Sequence, residues 1–127
     1  MDTQDHLPLA PRDLLILAAL ADEPLHGYGI IKAVERRSES GVHLDPANLY
    51  RVLRRMRQLG WIREAGESAA AGPEARPDSE VSGSPTRRRT YEITTGGKTL
   101  LSAELARLER LLKQVRPAVA QWDGSQA

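Results

Sequence analysis

The stretch "DPANLYRVLRRMRQLGWI", residues 45–62, decides the fold. Asp45 followed by Pro46 is a helix start: the aspartate side chain accepts hydrogen bonds from the first free N–H groups, and proline loses nothing at a position whose N–H has no partner. Gly60 is the matching stop, so a helix is predicted over 46–59. At about 100° per residue, Leu49, Val52, Leu53, Met56 and Leu59 share one face, which must be core. The opposite face holds Ala47, Arg51, Arg54 and Gln58, flanked by Asn48, Tyr50, Arg55 and Arg57. Arginine forks onto guanine or phosphate, and asparagine or glutamine pairs with adenine, so this face suits the edge of a duplex. The competing reading is a solvated face chosen for helix propensity. Such a face mixes signs, whereas no acid stands between Pro46 and Arg63.

On the N-terminal side, Pro11 at a helix start and Pro24 as a breaker bound a first helix at 11–22, apolar nearly all round and therefore buried. Residues 1–10 read as a flexible tail. After the turn "DEPLHG", Tyr28, Ile31 and Val34 at helical spacing predict a second helix over 27–39, stopped by Gly41. On the C-terminal side come two short strands, "WIREAG" and "RRTYEI". Between them residues 68–85 hold three Pro and two Gly with almost nothing to bury, a composition expected to be a disordered wing loop. From Thr94 the chain turns helical to 122, ahead of a flexible tail at 123–127. Leu101, Leu105, Leu108, Leu112, Val115, Val119 and Trp122 follow one another at steps of 4 and 3, the rhythm of a coiled-coil seam. The bland reading packs this stripe on its own domain; three short helices and a hairpin leave little surface for it, which favours self-association. The order helix, helix, turn, basic helix, strand, loop, strand is a helix-turn-helix with a wing. The fold class is therefore α+β, mainly α: a winged helix-turn-helix at 11–93, made of three helices and a two-stranded wing, followed by a long dimerisation helix.

Composition narrows the function. The chain has 127 residues and no cysteine, which excludes disulfides, thiolate metal sites and cysteine nucleophiles. The N-terminus lacks the basic region of a secretory signal, and the apolar run Leu14 to Ala21 is too short to cross a bilayer, so the expectation is a cytoplasmic protein with no membrane partner. The formal net charge of +1 hides its distribution: +4 over 45–63, −4 over 64–85, and then Arg87, Arg88 and Arg89. His6, His26 and His43 lack metal-ligand spacing, and no phosphate cradle or nucleophile turn is present, so neither an enzyme nor a metal site is expected.

Three blocks, "LHGYGI", "DPANLYRVLRRMRQLGWI" and "RRRTYEITTGGKTLL", resemble the signature blocks of the PadR family of bacterial transcriptional regulators. The matching positions are Gly27 and Tyr28; Leu49, Tyr50 and Gly60; and Arg88, Arg89, Tyr91, Thr94 and Gly97. The resemblance covers roughly residues 12–116. It implies a winged-helix homodimer held mainly by the C-terminal helix, binding a pseudo-palindromic operator and usually repressing, in the shorter subgroup with a single C-terminal helix. Some members of the family capture phenolic acids or flat aromatic drugs through a Trp in the middle of the last helix. Leu108 occupies the matching position here and Trp122 lies beyond Pro117, a departure that argues against that mode of capture. No cofactor is expected, and a small aromatic effector or other small-molecule inducer is left open.

The roles follow. Two copies of the basic helix would enter successive major grooves of an operator, about 34–36 Å apart. Arg51, Arg54 and Gln58 would face bases, and Tyr50, Arg55 and Arg57 would reach phosphates. Tyr28 and His26 stand at a helix start that favours an anion, although Tyr28 reads equally well as a core aromatic and His26 better as a turn residue. Arg87, Arg88 and Arg89 would touch phosphate or the minor groove at the base of the wing, or else protect an edge strand from aggregation. The alternative function is a winged-helix protein-interaction module without specific DNA binding. RNA binding is weakened by the scarcity of aromatics for stacking on unpaired bases.

Overall fold

The computed structural model describes residues 3–65 and 89–126. The predicted wing loop, Arg87 and Arg88 lie outside the described residues. Helix α1 spans Pro11–Asp22 with proline in its first turn, and it ends at Glu23, whose extended backbone leads into Pro24. Ile16, Leu17, Ala19 and Leu20 are buried, and so is the carboxylate-bearing Asp13 in the first turn. Strand β1 is only Leu25–His26, and α2 follows at Gly27–Arg37. The His26 ring caps α2, its Nδ1 accepting from the Gly29 N–H at 3.4 Å.

Helix α2 is two residues shorter than predicted and turned relative to the expected face. Gly27, Ile30, Ala33 and Val34 are buried, while Tyr28 is 64% exposed and is not a core aromatic. Its exit uses Glu39 and Ser40 in the left-handed region, before Gly41 is reached. Helix α3, Pro46–Gln58, starts as the sequence reading requires, with the Asp45 carboxylate accepting from the Asn48 N–H at 2.8 Å. Leu49, Val52, Leu53 and Met56 are buried; Leu59, placed on the core face by its spacing, lies at the helix end and is exposed. Each large aliphatic side chain so buried contributes about 1.5–3 kcal/mol.

Strands β2, Ile62–Glu64, and β3, Thr90–Ile93, pair antiparallel with Ile62 opposite Ile93, Arg63 opposite Glu92 and Glu64 opposite Tyr91. The predicted two-stranded wing is a three-stranded sheet in the order β1-β3-β2, because Leu25 and His26 pair with Tyr91 and Thr90. A two-residue strand is too short to show alternation, which is why the sequence reading made it a turn.

Helix α4 runs Thr95–Gln126, through Pro117 and through most of the stretch expected to be a tail. Its start is fastened by Thr94. The Thr94 N–H donates to the Trp61 carbonyl at 2.9 Å, and its hydroxyl lies 2.6 Å from the Gly60 carbonyl oxygen and 3.0 Å from that of Trp61. The same hydroxyl accepts from the Gly97 N–H at 3.0 Å. Gly97 has no room for a side chain: a Cβ there would run into the Trp61 carbonyl oxygen.

The N-terminal segment also departs from the expected flexible tail. It is anchored to the domain rather than free, with a 3-10 turn at Thr3–His6, the His6 ring edge-on to Trp61 at 5.4 Å, and Leu9 buried. The Leu9 N–H donates to Glu104 Oε2 at 2.9 Å. Glu104, 1% exposed, also accepts from Arg107 at 2.6 and 2.8 Å, so its charge is matched inside the fold.

Candidate nucleic-acid interface

The sequence reading gives Arg51 and Arg54 to bases and Arg55 and Arg57 to phosphates; in the structure the two pairs differ in their partners. Arg51 and Arg54 are exposed on the outer face of α3 and have no acidic partner among the described residues. Ala47 and Gln58 are exposed on the same helix, and Asn48 is half-buried beside its N-cap. Together these residues form a short cationic surface with amide and methyl groups, capable of reading base edges and of holding phosphate.

Arg55 is exposed on the same helix but, unlike Arg51 and Arg54, has an acidic partner. Its Nη1 donates to the buried Asp13 carboxylate at 3.3 Å, and its guanidinium lies over the Trp61 ring at 5.5 Å. It links α3 to α1 and to Trp61, which lies just beyond the end of α3. Spacing alone could not separate it from Arg54; the available signal was Asp13, an acid in the first turn of a mainly apolar helix. Arg57 stands 3.5 Å from Glu64 Oε2, and Arg89 donates to the same oxygen at 2.8 Å. Arg63 pairs with Glu92 across the strands at 2.6 Å. Arg54, Arg57, Gln58, Ile62, Arg63 and Glu64 line an open cleft of about 380 Å³ between α3 and the wing.

Tyr50, expected at a phosphate, is half-buried and packed against the core. Its hydroxyl fills the space that a Cβ on Gly27 would need, so the glycine makes room for the tyrosine. Two of the sequence blocks thereby meet where α3 packs on the start of α2. Tyr28 faces outward with the Lys32 ammonium 5.5 Å from its ring centre. Tyr91 is buried on β3, and burial pushes its phenol above the usual range, with Arg89 opposing and Glu64 adding to the shift.

The sequence model of the transcriptional regulator PadR-like family matches residues 16–103, which contain most of α1, then α2 to β3 and the first turns of α4. The chain belongs to the PadR-like family. Its fold is accordingly the winged helix of a family of transcriptional regulators. A PadR family transcription regulator from hypervirulent Clostridium difficile superposes with a TM-score of 0.62 at 23% identity, covering 87% of this chain and 99% of that one. A transcriptional regulator from Clostridium thermocellum gives 0.59 at 20% identity, covering 84% and 87%. In sequence the chain is 33% identical over 102 residues to an uncharacterised 37.1 kDa protein carried in a transposon of Streptomyces fradiae. The match takes in 80% of this chain but only 24% of that relative.

The PadR-like chain leaves apolar side chains uncovered beyond the domain. Leu105, Leu112, Val115, Val119 and Trp122 are exposed on α4, Leu108 is half-buried, and Leu111 is exposed beside them although it falls outside the strict rhythm. Leu101, placed at the head of the seam by spacing, instead packs against its own core. No described helix is long and apolar enough to cross a membrane.

Proposed function

We propose that this protein is a sequence-specific regulator that binds a pseudo-palindromic operator as a homodimer and represses transcription. The observation that carries the reading is the contrast on α3: Arg51 and Arg54 stand exposed without an acidic partner among the described residues, while the neighbouring Arg55 and Arg57 are held by acids. In this reading Arg51, Arg54 and Gln58 meet base edges in the major groove. Ala47, Asn48 and Tyr28 line the approach, and the seam from Leu105 to Trp122 joins two copies so that their α3 helices address half-sites one turn apart. Arg87 and Arg88 remain assigned to the wing by sequence alone. An inducer, if the protein has one, is to be sought by ligand-dependent release from DNA.

The test is titration of the full chain onto a fragment of the promoter nearest its own gene, against random duplex, at several salt concentrations. Selective binding that weakens with salt is expected. Replacing Arg51 and Arg54 by Ala should lower promoter affinity by about 1–3 kcal/mol for each arginine that reads a base. Unchanged affinity at fixed salt would overturn the assignment of α3. A wild-type chain that ignores every duplex would instead favour a protein-interaction module.

A further inference from the structure

Glu64 is an acid in the wrong place for a protein built only to hold a polyanion. It stands on β2, in the cleft between the recognition helix and the wing, and one of its oxygens, Oε2, takes both Arg57 from the last turn of α3 and Arg89 from the start of β3. The side chains of Arg57, Glu64 and Arg89 are part-exposed, at 42%, 27% and 36%. Ion pairs with that much access to water contribute little to folding, typically ~0–1 kcal/mol. The full negative charge, by contrast, acts directly on the potential of a cleft lined also by Arg54 and Arg63.

We infer that Glu64 is a specificity-determining residue: its carboxylate occupies Arg57 and Arg89, withholding two cations from phosphate and so suppressing nonspecific binding while leaving Arg51, Arg54 and Gln58 to read bases. The inference rests on the DNA-binding reading above. Nonspecific affinity comes almost wholly from counterion release at phosphates, whereas discrimination comes from base edges. Keeping two arginines away from phosphate lowers the first and spares the second, so the ratio between operator and random sequence rises.

The experiment compares the full chain with its Glu64→Gln variant on the promoter fragment and on random duplex across a salt series, with folding checked by circular dichroism. Glu64→Thr, which suits a strand, serves as a second variant. The variants should bind random duplex roughly tenfold more tightly at low salt, and the slope of log K against log salt should steepen by about 0.9 for each arginine released. The promoter-to-random ratio should fall. Adding Arg57→Gln and Arg89→Gln to Glu64→Gln should return the slope to the wild-type value. A folded variant with the wild-type slope and ratio would overturn the role of Glu64 and leave DNA binding intact. Failure of wild type and variant alike to bind any duplex would overturn the DNA-binding reading itself, and this one with it.

Discussion

The two halves of α4 carry one spacing of apolar residues into different surroundings. In the first half Gly97, Leu100 and Glu104 are buried against the winged domain, and Leu101 is packed on its core. In the second half Leu105, Leu112, Val115, Val119 and Trp122 are exposed. The same period therefore serves intramolecular packing up to Glu104 and, in the proposed dimer, intermolecular packing beyond it. What separates the halves is the N-terminal segment. Leu9 and its N–H reach Glu104, and no described N-terminal residue is hydrogen-bonded further along the helix.

The contrast can be broken most severely in the second half. Leu105→Asp together with Leu112→Asp would place like charges in an apolar seam from both copies, and light scattering should then find monomers whose circular dichroism keeps the wild-type helical domain. Persistent dimers would move the interface elsewhere. In the first half, Gly97→Ala drives a methyl against the Trp61 carbonyl and the Ile93 side chain, and the carbonyl, as backbone, cannot swing away. It should cost about 3 kcal/mol in urea unfolding, near the upper end for overpacking. Glu104→Ala leaves the Leu9 N–H without its acceptor, and about 1–3 kcal/mol is expected from that loss.

The gentlest probe is pH. Hydrogen bonds from Arg107 and then from the Leu9 N–H hold the Glu104 carboxyl below the ordinary value of 4.5, against the opposing effect of burial. A lowered folded value means that the carboxylate's contribution is complete above 4.5 and is lost as pH falls through the folded value. Thermal unfolding of the wild type should therefore decline more steeply below pH 4.5 than that of Glu104→Gln. Parallel profiles would show that Glu104 is not the group responsible.

The contrast also marks how far the sequence could be read. Pro11, Pro24, Asp45 and Pro46 set helix limits correct to within a residue or two, because a missing N–H or a capping carboxylate acts on its own turn. The buried face of α3 was legible as far as Met56 for the same reason of local period. Pairings across the chain were not legible. Arg55 finds Asp13 at a separation of 42 residues, Leu9 finds Glu104 at 95, and Arg89 finds Glu64 at 25. Without those pairings a held arginine and a free one look alike, and a leucine at the head of the seam looks like its successors. Tyr28 and Tyr50 were exchanged in the same way: the aromatic given an even chance of being core faces solvent, and the one assigned to phosphate rests on Gly27.

The Thr94 junction joins the end of the recognition helix to the beginning of α4 through a single residue, with its hydroxyl against the Gly60 carbonyl and its amide on that of Trp61. At about 1.5 Å per residue, the 32 residues of α4 make a rod roughly 48 Å long, held on the domain as far as Glu104 and projecting beyond it. Tilting the projecting part, roughly 33 Å long, by about ten degrees would carry its far end about 6 Å. In the proposed dimer, a modest displacement between the far ends of two such rods is geared down into a small, stiff rotation of each α3. Under the operator-binding proposal, the distance between half-sites is then a property of the lever arm as much as of the winged domain.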